Sequence, residues 1–324
     1  MTTVMLALLL AASPTTVAVP IPGGDGGVGF DDLGFSTAFH RVIVPGGRTG
    51  NLDLVDPATH EVTAIGGFSK DASYGGGHGE GTTSADEGRG LFFASDRAKR
   101  LLIVVDPVKK AIVASVKLAA GPDYVRYVPP LGEVWVTEPG AEQIEMFSIP
   151  ASGTPTPSHV ATVKVSGGPE SLVIGAERAW THLWKRETVA LDLHAHAVAG
   201  QWKNGCVESR GIALDEQRGL LFAGCDEGKA TAMDLRQGGK VVGTAETAKG
   251  VDVIAYSPQL HHLYVPGEDS GAMTILDVAA DGKLTPVTTV PTAKGAHCVA
   301  ADDQGGAWVC DPHGGRLLLF KDSP

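Results

Sequence analysis

The chain has 324 residues, a formal net charge of −11, 43% hydrophobic and 19% charged residues, 43 glycines and 20 prolines. That much Gly and Pro would break long helices, which excludes a helical bundle, and the glycines lack the triplet period of collagen. An acidic balance without a Lys/Arg block argues against duplex nucleic acid or an anionic membrane surface and leaves small molecules or cations as the expected partners.

Met1 to Ala12 is an apolar run of signal-peptide length, too short to span a bilayer, although no Lys or Arg precedes it. The expectation is a signal peptide over 1–13, one folded domain over 14–324, a periplasmic or secreted location, and cleavage before about Thr15. Thr15 to Ile21 (TTVAVPI) reads as a lone β-strand ahead of Pro22-Gly23-Gly24.

From Gly29 onward the chain repeats itself. Gly29-Phe30-Asp31-Asp32-Leu33-Gly34-Phe35-Ser36, continuing to Val42-Ile43-Val44-Pro45-Gly46, aligns without gaps on Gly250-Val251-Asp252-Val253-Ile254-Ala255-Tyr256-Ser257, continuing to Leu263-Tyr264-Val265-Pro266-Gly267. Further copies begin at Glu80, Gly121, Gly168, Glu208 and Gly295. With Asp31, Glu80, Asp123, Glu170, Ser209, Asp252 and His297 as equivalent markers, successive units are 39 to 49 residues apart. A period in this range means a solenoid or a propeller, and four short strands (A to D) per unit select the propeller. In the second unit, strand C is Leu101 to Val105 before Asp106-Pro107, and D is Ala111 to Leu118. In the sixth, C is Met273 to Leu276 and D is Leu284 to Val290. The seventh unit stops after its C strand at Leu317 to Phe320, so the N-terminal strand is expected to supply the missing D strand and remove a free sheet edge. The predicted fold is all-β: a seven-bladed β-propeller of four-stranded blades, closed by its N-terminal strand and expected to be a monomer.

The phrases Leu263-Tyr264-Val265-Pro266 followed by Thr274-Ile275-Leu276-Asp277, and Leu102-Ile103-Val104-Val105-Asp106-Pro107 followed by Ile112-Val113-Ala114, resemble the bacterial seven-bladed propellers of the YVTN/YncE-like family. Where that family has Tyr-Val-Thr-Asn, this chain has Tyr264-Val265-Pro266-Gly267 and Trp135-Val136-Thr137-Glu138. The resemblance implies the fold across most of the chain after Gly29. It does not imply one activity, because related propellers include binding proteins, lactonases, lyases and metal-centre enzymes.

The seven markers stand at the start of the innermost strands, which converge on one mouth of the central channel. Five carboxylates there, Asp31, Glu80, Asp123, Glu170 and Asp252, repel one another. A divalent cation held by them and His297 would relieve this: calcium first, or zinc or manganese because a His is present. Raised carboxyl pKa values, water, or Arg210 and Arg126 could do the same, and the plainer alternative is that each carboxylate accepts backbone N–H bonds in its own turn. The Gly-rich connection Phe68 to Gly81, with Tyr74 and His78, is a lid or binding loop, or else a surface insertion. The B–C loops bring Arg48, Asp96, Glu138, His182, Trp184, Asp226 and His313 to the same face. Candidate ligand contacts are therefore Arg48, Tyr74, Trp184 and Arg210, and candidate proton carriers are His78, Glu80 and His182. His261-His262 falls in an A–B turn on the opposite face, with solvent as its expected surroundings.

The cysteines fall as hairpin pairs, Cys206 with Cys225 and Cys298 with Cys310, each symmetric about an A–B turn. Opposed antiparallel residues lie about 4.5–5.5 Å apart, within disulfide range. The alternatives are buried thiols or a soft-metal site of His297, Cys298 and Cys310, which strand alternation disfavours. No Gly-x-Ser-x-Gly elbow, phosphate loop or Cys-x-x-Cys pair is present. Three functions follow. The leading one is a non-catalytic propeller binding a small ligand or metal ion at the acidic ring. The second is a metal-dependent, lactonase-like hydrolase or lyase using the same ring, and the third is a protein-interaction scaffold.

Overall fold

A computed structural model describes residues 16–323, so the expected signal peptide lies outside the described residues. Among these, 28 strands form seven four-stranded sheets, with two 3₁₀ turns at Pro139–Ala141 and Leu235–Gln237. Blades 1 to 6 span 34–66, 85–117, 125–164, 173–203, 209–246 and 255–291, each an antiparallel meander.

Blade 7 is built from both chain ends. Val299–Ala301, Gly306–Asp311 and Arg316–Lys321 are followed outward by Thr16–Pro20, with Val17 opposite Leu319 and Val19 opposite Leu317. The expected closure is therefore present, and Val19 is buried by it.

Burial follows position in the blade. Second strands such as Glu133–Glu138 and Leu220–Cys225 are buried along their whole length, because both sheet faces meet a neighbouring blade. Outer strands such as Ser158–Lys164 carry mostly exposed side chains. The apolar residues gather in seven clusters, one at each blade interface. Trp135 and Met146 of blade 3, for example, pack with Leu183 and Leu191 of blade 4. The core is thus a ring of interfaces, and polar groups gather at one mouth of the channel.

The turns form where the sequence places them. The Asp106 carboxylate accepts from the Val108 and Lys109 amides, both at 3.0 Å, closing the C–D turn of blade 2. In blade 6, Asp281 accepts from Lys283 at 3.0 Å while Gly282 takes φ 86°.

Candidate functional site at the channel mouth

Hydrogen bonding to the second strand fixes the ring positions. The Asp123 amide donates to the Thr137 carbonyl (2.9 Å) and the Glu170 amide to the His182 carbonyl (2.8 Å). Asp31, Asp123, Glu170, Ser209 and His297 are buried at this level, and Asp252 is half-buried. Ser209 turns away to donate to the Leu183 carbonyl at 2.6 Å.

Glu80 is not at this level. It is exposed on the Gly-rich connection, and the blade 2 position belongs to the buried Thr83. The amide of the next residue, Ser84, donates to Ser95 Oγ at 3.1 Å, just as the Tyr124 amide after Asp123 donates to Thr137 Oγ1 at 2.8 Å. The connection runs three residues further than the repeat spacing suggests, which removes one carboxylate from the expected five.

The remaining repulsion is met by cationic side chains. Arg97 donates to Asp123 at 2.7 Å and stands 3.7 Å from Asp31, and Arg210 stands 3.7 Å from Glu170. Arg126 does not serve the ring. It forms a two-pronged pair with Asp32, with Nη2 to Oδ1 at 2.8 Å, while Ser84 Oγ donates to the same carboxylate at 2.6 Å. Both Arg126 and Asp32 line a separate channel cavity of about 280 Å³ that shares no wall residue with the mouth. Arg97 is not among the candidates named from the sequence, although, like Arg48, it closely follows the second strand of its blade.

His297 faces a carbonyl oxygen with each ring nitrogen, Nδ1 to Gly295 at 2.7 Å and Nε2 to Phe30 at 2.9 Å. Two acceptors require two N–H donors, so the geometry selects the imidazolium. Burial opposes that charge, but Asp252, the Gly295 carbonyl and Asp31 outweigh it and hold the pKa above the ordinary value. Burial, opposed in part by Arg97, pushes Asp31 up to about 8. Burial and the neighbouring Asp31 carboxylate push Asp123 up to about 7, and burial with Asp123 and Asp252 pushes Glu170 up to about 9. His78 goes the other way, because burial and the nearby Arg97 and His297 charges outweigh the attraction of Asp252.

Above the ring lies a cavity of about 410 Å³, walled by Tyr74, His78, Arg210, Asp226, Asp252 and His297, with Glu268 and His313 at its rim. The Gly-rich connection supplies Tyr74 and His78, and Tyr74 meets the His313 ring edge-on at 5.8 Å. Of the other candidates, Trp184 is about half exposed and stacks under the Arg210 guanidinium at 5.2 Å. Arg48 is committed to the Gly27 and Asp25 carbonyls, both at 2.6 Å, and does not line the cavity.

His182 is not a loop residue. It lies in Arg178–Leu183, fully buried, with Thr188 Oγ1 at 2.8 Å and the Phe222 carbonyl at 3.2 Å, and burial holds its pKa down to about 4. His262 also departs from expectation. It is buried, with Nδ1 2.7 Å from Asp322, which Tyr264 also reaches, so the pair anchors the C-terminus.

His78, Asp252 and His297 place potential ligand atoms within 4.8 Å of one another. The His297 nitrogens already face carbonyls, which leaves His78 and Asp252, fewer ligands than a structural or catalytic zinc site uses. Cys206–Cys225 and Cys298–Cys310 are disulfides with Cα separations of 5.3 and 5.5 Å, which removes the thiolates of the soft-metal alternative. They fit an oxidising compartment. No helix among the described residues is long and apolar enough to cross a membrane.

These features define a seven-bladed β-propeller with a polar pocket at one channel mouth. No protein-family model matches the chain, and no curated protein matches it in sequence. Solved structures do match in shape. A chain of Kuenenia stuttgartiensis hydrazine synthase aligns with TM-score 0.75 at 14% identity over 92% of this chain and 96% of that one. A chain of the mitotic checkpoint complex gives 0.77 at 12%, over 100% of both. The β-propeller domain of Myceliophteria thermophila Cps50 (Swd1) gives 0.74 at 11%, over 92% and 98%. At such identities the likeness shows the fold alone.

Proposed function

We propose that this propeller binds a small cationic molecule at the channel mouth, without chemistry, in the periplasm or outside the cell. The observation that carries the reading is Asp252. It opens into the 410 Å³ cavity, and its carboxylate has no hydrogen-bond partner among the described residues. Asp226 and Glu268 share the wall with it, opposite the Arg210 guanidinium and the His297 ring. A ligand ammonium group would therefore meet a surplus of acceptors beside the Tyr74 ring, which favours a cation. The cavity lies within the usual range for small-molecule sites.

A divalent cation is the second reading, favoured by the His78–Asp252–His297 cluster. It requires His297 to surrender one of its two hydrogen bonds, and it is the form in which hydrolase or lyase chemistry would enter, with His78 as proton carrier. The YVTN/YncE-like resemblance is compatible with both readings.

Thermal shift and calorimetry should compare choline and a diamine with a neutral alcohol, a carboxylate, calcium, zinc and manganese. The expected result is stabilisation by the ammonium compounds that disappears in Asp252→Asn. Equal responses to the neutral analogue, or none to any ammonium compound, would reject the reading. Lactone or ester turnover lost on chelation would establish the second instead.

A further inference from the structure

Away from the channel mouth, blade 1 buries a carboxylate that its fold does not satisfy. Asp53, the third residue of Asn51–Val55, has zero exposure, and neither carboxylate oxygen has a hydrogen-bond partner among the described residues. Polar residues at the third position of strand C in other blades do find backbone partners. Glu145 accepts from the Ala119 amide at 2.8 Å, Thr274 accepts from Ala248 at 3.1 Å, and Thr231 donates to the Asn204 carbonyl at 2.7 Å.

Asp53 has unsatisfied company. Thr49 Oγ1 is also buried without a partner. A point one Cβ bond out from Gly46 lies 2.6 Å from Thr49 Oγ1, 2.8 Å from the Asn51 carbonyl oxygen and 2.9 Å from Asp53 Oδ2. Three oxygens thus converge beside Gly46, two of them unpartnered and the third, the Asn51 carbonyl, accepting from the Gly46 amide at 2.9 Å with a lone pair to spare. Its φ lies outside the left-handed region, so the backbone does not demand glycine, whereas a Cβ there would meet all three oxygens at under 3.0 Å. Burial is what pushes Asp53 up to about 8, with no cationic side chain offsetting it. Leaving a carboxylate and a hydroxyl buried and unmatched is costly, and a hard cation with oxygen ligands removes that cost.

We propose that Asp53, Thr49 and the Asn51 carbonyl hold a monovalent alkali cation. One carboxylate with neutral oxygens balances a single charge, whereas calcium sites gather six to eight oxygens. The ion would lie beside the ring closure, since Asn51 Nδ2 reaches the Pro22 carbonyl at 3.4 Å, just after the closing strand.

The test is thermal melting of the whole protein in sodium, potassium and choline chloride at equal ionic strength, with Asp53→Asn and Thr49→Val alongside. The expected result is a saturable rise of several degrees in sodium or potassium over choline, lost in Asp53→Asn and reduced in Thr49→Val. Identical melting in all three salts, meaning buried water or a proton only, overturns the proposal, as does an alkali response that survives Asp53→Asn. A response to trace calcium but not to alkali salts overturns the monovalent assignment. Should Asp53→Asn not fold, ²³Na line broadening of the wild type, expected to be reversed by potassium, decides the matter; no broadening counts against the site.

Discussion

The Arg97 guanidinium lies 2.7 Å from the Asp123 carboxylate, joining blade 2 to blade 3, and its other nitrogen stands 3.7 Å from Asp31 of blade 1. One side chain therefore ties three blades across the channel mouth, and its charge permits the two acids to crowd there. Arg97→Gln should destabilise the protein by about 1–3 kcal/mol, the scale of a charged hydrogen bond in a partly wet site. Asp123 and Asp31 ionise near pH 7 and 8, so the loss in urea unfolding should be larger at pH 8.5 than at pH 5.5. An equal loss at both pH values would mean that Arg97 acts through packing alone.

Asp31, Asp53, Asp123 and Glu170 all have pKa values raised by folding. For a raised carboxyl, the stability advantage is complete below the unfolded value, about 4, and is lost as pH rises through the folded value. Stability should therefore fall between about pH 4 and 9, each group contributing a slope of up to about 1.4 kcal/mol per pH unit. His182, held down to about 4, acts in the opposite sense below its unfolded value of about 6.5, because its proton must be lost on folding. Asp53→Asn should flatten the alkaline decline in choline salts, and urea midpoints across pH would show it; an unchanged slope would mean Asp53 does not titrate there.

The disulfides close loops with sequence separations of 19 and 12 residues. Loop-closure entropy assigns each about 3 kcal/mol. Cys206→Ser/Cys225→Ser and Cys298→Ser/Cys310→Ser should each lower the urea midpoint, and reductant should then add only the effect of the remaining bridge. A wild type indifferent to reductant under unfolding conditions would contradict the pairing.

Removing Thr16–Pro20 should do more than lower stability. It strips the outer strand from Arg316–Lys321 and leaves an unpaired edge able to recruit another chain. Size-exclusion chromatography should show oligomers or aggregate; a monomer with unchanged melting would show that the ring closes without that strand.

The features legible in the sequence were those written locally and repeated. Asp106-Pro107 and Asp281-Gly282 mark turns by their own chemistry, and the unmatched C strand of the last unit called for the N-terminal partner that Val17 and Val19 supply. Glu80 was misplaced because a Gly-rich connection carries no periodicity to hold its register, and the true position is set by Ser95 on the next strand. His182 looked like a loop residue because a polar side chain at a strand end carries no local sign of what covers it; here Phe222 of the next blade does.

By itself the sequence determined the number of blades, their turns, the hairpin partners of the cysteines and the need for a closing strand, because strand period, turn residues and hairpin symmetry are written locally; the entry to blade 2, without such a pattern, lay three residues from where the repeat spacing put it. Only the tertiary structure decided the ionisation and partners at the channel mouth. Arg97 meets Asp31 across 66 residues, and His297 reaches the Phe30 carbonyl across 267. Burial and charge depend on what the ring brings together, and no local pattern encodes the approach of side chains from different blades.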